Sequence, residues 1–135
     1  MILQEALTKG IEAAESAEAN RAEILSVLND LSDVLKNYLG VDCSVELVNQ
    51  KAMKPGSLSF INTGWDFVDL NIDGQRPERL FKIKMSEDGY PVNVNYQAMD
   101  ETAFDKGAFE ASISEVISDT TFGKKLFKIK LSLEE

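Results

Sequence analysis

Residues 1–40 read MILQEALTKGIEAAESAEANRAEILSVLNDLSDVLKNYLG. The stretch contains no proline, ends in glycine and repeats its apolar residues at helical spacing. With Leu7, Ala14, Arg21, Leu28 and Leu35 at heptad position a, position d holds Leu3, Gly10, Ala17, Ile24, Leu31 and Tyr38. Two positions per heptad make a seam that meets another helix or a sheet. After Asn20, Leu25, Val27, Val34 and Leu39 widen the stripe, which suits a helix lying on a sheet. Before Asn20 the seam is thin, with Gly10, Ala14 and Ala17 small and Arg21 charged.

A straight helix of this length runs to about 55–60 Å at ~1.5 Å per residue, more than a compact domain of this size needs. Two outcomes follow. The first half projects and pairs with a second copy, or the chain breaks near Ser16–Asn20, with Asn20 capping a second helix. The Ala/Glu-rich run has no turn residues, which favours one continuous helix and a homodimer. Leu3, Leu7, Ala14, Ala17, Arg21 and Ile24 are the expected dimerisation residues.

Working outward, Leu39-Gly40-Val41 is a helix stop, with Gly40 at the C′ position. Residues 41–135 then hold the rest of one α+β domain spanning 1–135. From Cys43 the period changes to two, and Cys43, Val45 and Leu47 mark a first strand. Lys54-Pro55-Gly56 is a turn, Leu58 to Ile61 a short second strand, and Asn62-Thr63-Gly64 another turn. Trp65 to Ile72 makes a third strand whose alternation slips, so that a bulge near Phe67 or burial of both faces is required. Leu80 to Met85 is the fourth strand, Glu87-Asp88-Gly89 a hairpin turn, and Val92 to Gln97 the fifth. Short turns between five strands predict an antiparallel β-meander. Thr102 and Asp105 resemble a capping box ahead of a second helix over 103–118.

The tail reads two ways. Phe127, Ile129, Leu131 and Leu133 alternate as in a strand, while Phe122, Leu126, Ile129 and Leu133 share one helical face. The stricter alternation predicts a C-terminal strand, with both helices covering one face of the sheet. LFKIKMS at 80–86 recurs as LFKIKLS at 126–132, identical at six of seven positions, without matching flanks. If those segments lie side by side, Lys82, Lys84, Lys128 and Lys130 share a face, joined by Lys124 and Lys125.

The totals narrow the function classes. The 135 residues carry a formal charge of −9, with one cysteine and no histidine. Such a length sustains a core without staples. An acidic balance argues against a general nucleic-acid binder and fits a basic partner. One cysteine forms no internal disulfide, and without histidine no Cys/His zinc site can be built in one chain. No long apolar run or signal-peptide pattern is present, so a cytoplasmic location is expected. Positions 1–74 hold twelve acids against five bases, whereas 120–135 hold four lysines against two acids.

Catalytic signals are weak. GxSxG, GxxxxGK[ST] and GxGxxG are absent, and neither Cys43 nor a serine has a histidine to activate it. Asp66, Asp69 and Asp73 are close in sequence, but Asp66 and Asp69 fall on opposite faces of a strand unless a bulge realigns them. No catalytic, cofactor-binding or metal-binding residue is therefore expected. Lys82, Lys84, Asn93, Asn95, Lys128 and Lys130 are the expected partner-binding residues, since Asn and lysine on an open sheet face offer adaptable polar contacts. The expectation is a non-enzymatic protein-binding module, of the kind a phage or bacterial accessory or inhibitor protein would be, acting on an unknown protein partner. An acidic dimeric chaperone-like carrier is the alternative by analogy of size and charge, and nucleic-acid binding through the Lys-rich strands is the weakest.

Overall fold

The structure, a computed structural model, describes residues 2–135, so Met1 of the expected helix lies outside the described residues. Helix α1 runs unbroken from Ile2 to Leu39, about 57 Å at ~1.5 Å per residue. Five strands follow: β1 (Cys43–Met53), β2 (Phe60–Ile72), β3 (Glu78–Ser86), β4 (Gly89–Tyr96) and β5 (Met99–Ala103). They form one antiparallel sheet in the order β1-β2-β3-β4-β5. Two helices close the chain, α2 (Lys106–Ile117) and α3 (Thr120–Leu133). The α+β class, the long first helix and the five-stranded meander are as expected. No described helix is long and apolar enough to cross a membrane.

The core lies between the helices and one face of the sheet. Alternation aims Cys43, Val68, Leu70, Ile72, Phe81, Ile83, Val92, Val94 and Ala103 inward. From the helices come Ile24, Val27, Leu28, Leu31, Leu35 and Leu39 of α1, Phe109, Ile113 and Val116 of α2, and Phe122 of α3. Inside this apolar layer the Ser32 hydroxyl donates to the Leu28 carbonyl at 3.2 Å and accepts from the Val45 amide at 2.9 Å. The pair ties α1 to β1 and satisfies a buried polar group. At the end of α1, Gly40 takes a φ of +72° and its amide donates to the Lys36 carbonyl. A left-handed residue there closes the helix as its glycine foretold.

The bulge expected near Phe67 lies in β3 and not in the Trp65–Ile72 strand: Leu80 is the extra residue between Phe81, opposite Val68, and Arg79, opposite Asp69. Pairing of β2 with β3 shifts between Val68 and Asp69, whereas β1 stays in register along that stretch. Val68 and Leu70 therefore keep the core face, and Phe67 turns to the other side.

Three further expectations need correction. The segment 120–133 is helix α3, not a strand. Asp119 is its N-cap, its carboxylate accepting from the amides of Thr121 at 2.9 Å and Phe122 at 3.2 Å. Once capped, the helical face wins: Phe122 is buried, and Leu126, Ile129 and Leu133 pack against the core. The alternating partners Phe127 and Leu131 are left exposed. The stretches expected as a second and third strand, 58–61 and 65–72, belong to a single strand, β2, with Gly64 at a φ of +86° inside it. The fifth strand is instead Met99–Ala103, a short polar edge strand behind a tight turn at Gln97, whose φ is +51°. Thr102 thus sits in β5, and Asp105 itself caps α2, accepting from the Ala108 amide at 2.8 Å.

The two halves of α1 should respond differently to truncation. Leu31→Ala opens a hole in the core and should lower stability by about 2–5 kcal/mol. In dilute protein Leu7→Ala should stay within about 0.5 kcal/mol of the wild type. Urea unfolding followed by circular dichroism checks both.

Candidate functional site

Two features stand apart from the core: the first half of α1 and the sheet face opposite the helices. Every residue from Ile2 to Ser16 is exposed. Ile2 is 81%, Leu3 76%, Leu7 64% and Ile11 49% exposed, whereas Ile24 on the same helix is 0%. The change falls at the turn between β3 and β4. There the Asn20 side-chain amide donates to the Asp88 carbonyl at 2.9 Å, and Arg21 donates to the Glu87 carbonyl at 3.3 Å. A turn further on, the Tyr90 hydroxyl donates to the Glu23 carboxylate at 2.8 Å. Burial and that acceptor push the Tyr90 phenol well above its ordinary range, so it stays protonated and holds the bond. Gly89 has a φ of +90°, and a Cβ there would lie 2.7 Å from Asn20 Cβ. The turn thus needs glycine to let the helix pass so close.

Beyond this clamp α1 leaves the sheet as an arm of about 27 Å. Along the arm Leu7, Ile11, Glu15 and Glu18 follow one another at helical spacing, so one stripe is apolar at the tip and acidic at the base. From the same end of the sheet the outer part of the β1–β2 hairpin also projects, with Met53, Leu58, Phe60 and Ile61 exposed.

The uncovered sheet face carries aromatics under cations. The Arg79 guanidinium lies 3.6 Å from the Phe67 ring centre, and the Lys82 and Lys84 ammonium groups lie 4.8 and 6.0 Å from that of Trp65. Such stacking orients the cations and covers the ring faces. Asn95 pairs with Lys82 and Asn93 with Lys84 across β3–β4, so all four share the face. Thr102 of β5 extends it, its hydroxyl bonded to Asn93 at 2.9 Å.

The expected site residues divide accordingly. Leu3, Leu7, Ala14 and Ala17 lie on the arm. Arg21 is at the clamp, hydrogen-bonded to the turn, and Ile24 is sealed in the subunit's own core, so the accessible seam ends before them. Lys82, Lys84, Asn93 and Asn95 are brought together as expected. Lys128 and Lys130 are not with them: they belong to α3, where the Lys130 ammonium lies 4.6 Å from the Tyr38 ring centre. The four-lysine face required a C-terminal strand, and the Asp119 cap removes it. Sequence reading missed the exposed hairpin tip, because 58–61 looked like an independent strand. Its signal was four large apolar residues flanking Lys54-Pro55-Gly56 without a clear inward phase.

The carboxylates do not converge. Asp69 is buried on the uncovered face and accepts from Arg79 Nε at 3.2 Å. Asp66 points to the opposite face, where burial pushes its carboxyl upward, and Asp73 is exposed in the following turn. Among the described residues no group of three or more His, Cys, Asp or Glu side chains is placed to hold a metal ion. Cys43 is buried, and that burial raises its thiol pKa, which suppresses the thiolate. Glu101 on β5 and Glu115 on α2 share a hydrogen bond that lowers Glu101 and raises Glu115, with the Ser112 hydroxyl, 2.9 Å from Glu101, lowering it further. Comparison of the chain with protein-family models, with curated proteins and with solved structures finds no match.

Two outcomes follow from these pairs. Arg79→Ala leaves Asp69 buried without its partner and should cost about 1–3 kcal/mol in urea unfolding. Because Arg79 is itself half exposed, the loss should fall short of that for a fully buried pair. The raised pKa of Glu115 makes its contribution one that is present in acid and fades as pH rises through it. Glu101, lowered, behaves oppositely. Glu115→Gln keeps the donor at all pH values, so it should melt above the wild type at pH 7, with the gap closing as pH falls through the raised Glu115 pKa.

Proposed function

We propose that this protein is a non-enzymatic protein-binding module that self-associates through the arm of α1 and presents its hairpin tip to a protein partner. One observation carries the reading. The heptad stripe that buries Ile24, Leu28, Leu31 and Leu35 continues through half-buried Ala17 to Ala14, Leu7 and Leu3, which are exposed. The arm extends a helix already nucleated by its packed half, and its exposed leucines add nothing to its stability. Covering them stabilises the arm and removes apolar surface from water at about 25 cal/mol per Å². A second copy supplies the required surface at equal concentration and closes the assembly by two-fold symmetry.

The hairpin tip supports a separate contact. Its Met53, Leu58, Phe60 and Ile61 are grouped around one turn, and Met and Phe are residue types enriched in protein interfaces. The acidic overall charge aids encounter with a basic partner.

Site-specific photocrosslinking in the native host separates the two surfaces. A photoreactive residue at Leu7 should give an adduct of twice the chain's mass. One at Phe60 should give a defined adduct of different mass. Adducts at neither position, at native expression, would sink the reading.

A further inference from the structure

We propose that the cavity between helix α3 and the β2–β3 turn binds a small organic acid, its anionic head held by Arg76 and Lys128 and its short apolar body against Ile72, Ile129 and Leu133. The site lies at the end of the sheet away from the arm and the hairpin tip, so it stands apart from the function proposed above. Two local features of the chain build its walls. The Asp119 cap makes 120–133 a helix, and helical spacing then puts Lys128, Ile129, Ser132 and Leu133 on one side of α3. Opposite them the chain leaves β2 at Ile72 and turns through Gly74, whose φ is +77°, with the Gln75 amide donating to the Ile72 carbonyl at 3.0 Å. That turn brings Gln75 and Arg76 into the wall of a cavity of about 240 Å³.

Charge and polarity select the ligand. Among the described residues no carboxylate lies within ion-pair distance of Arg76 or Lys128. Glu78 is the one acid in the wall, and the Lys125 ammonium lies 3.7 Å from its carboxylate. Residues 120–133 hold four lysines and no acid, so this corner is basic on a chain of net charge −9. The Ser132 hydroxyl and the Gln75 side-chain amide add neutral donors. The floor is apolar: Ile72 is buried, and Ile129 and Leu133 pack against the core. A bare anion leaves that floor in water, and a neutral apolar molecule leaves both cations unmatched. A carboxylate with a short apolar body satisfies both. The volume is that of about eight water molecules at ~30 Å³ each, which sets the ligand at roughly ten heavy atoms. The neighbouring hollow lacks this selectivity, because its Lys36 lies 3.2 Å from Asp42 and Asp73 adds a further acid.

Titration of the full chain with octanoate, followed by methyl and amide nuclear magnetic resonance, tests the site. Octanoate should shift the signals of Ile72, Ile129 and Leu133 and saturate with a Kd of about 1 mM or tighter. A double variant, Arg76→Ala with Lys128→Ala, removes two exposed cations outside the core, so circular dichroism should show it folded. It should bind octanoate about tenfold or more weakly. Lys128→Arg should bind as the wild type does. Acetate, a head without the body, octanol, a body without the head, and octylammonium, a body with the opposite charge, should each bind about tenfold or more weakly than octanoate. Octanol or octylammonium that binds as octanoate does, a double variant that binds as the wild type does, or shifts centred on the arm or the hairpin tip would overturn the proposal. Acetate as tight as octanoate would overturn it too, since the apolar floor would then take no part. None of these results bears on association through the arm.

Discussion

The structure depends on the packing of half a helix against a sheet. From Ile24 to Leu39, α1 buries one stripe against the strands, with Ser32 joining β1 through the Val45 amide. That contact decides which sheet face is covered and which is open. It also fixes the direction in which the rest of α1 leaves, because the helix is held at Asn20 and Arg21 by the β3–β4 turn. The arm, the hairpin tip and the aromatic face are all consequences of where this half-helix lies.

The clamp explains why one continuous helix has two characters. A heptad seam does not distinguish a sheet from another helix as its cover. The residues before Asn20 carry a thinner version of the same seam, and the sheet ends before it can reach them. Small residues at Gly10, Ala14 and Ala17 permit close approach by a partner surface, while Glu15 and Glu18 lie off the seam. An arm of this kind contributes little to the stability of a lone subunit, so its sequence is free to serve association.

The sequence made the scaffold legible where pattern and punctuation agreed. The proline-free heptads ending at Gly40 marked α1, and the clean alternation from Val92 marked β4, whereas the bulge expected near Phe67 fell at Leu80 of β3. It failed where two periods coincided. At 122–133 the alternating and helical phases share Ile129 and Leu133, and only Asp119, which lies before the segment and caps the helix at Thr121 and Phe122, decides between them. It failed again at β5, where Met99-Asp100-Glu101-Thr102-Ala103 has too many acids to look like a strand. Acidic residues on a short edge strand block further pairing, which is a reason for such a strand to be polar. Of the candidate site, Lys82, Lys84, Asn93 and Asn95 were legible because clean alternation places them on one face. The loss of Lys128 and Lys130 from it follows directly from the misread tail.

The central claim is that the free stripe of α1 finds its cover on another copy of the chain. Isotope-filtered nuclear Overhauser spectroscopy on a mixture of labelled and unlabelled protein tests it most directly. The account predicts intermolecular contacts from the methyl groups of Leu3 and Leu7. Intermolecular signals that spare Leu3 and Leu7, or none at concentrations that saturate self-association, would contradict it.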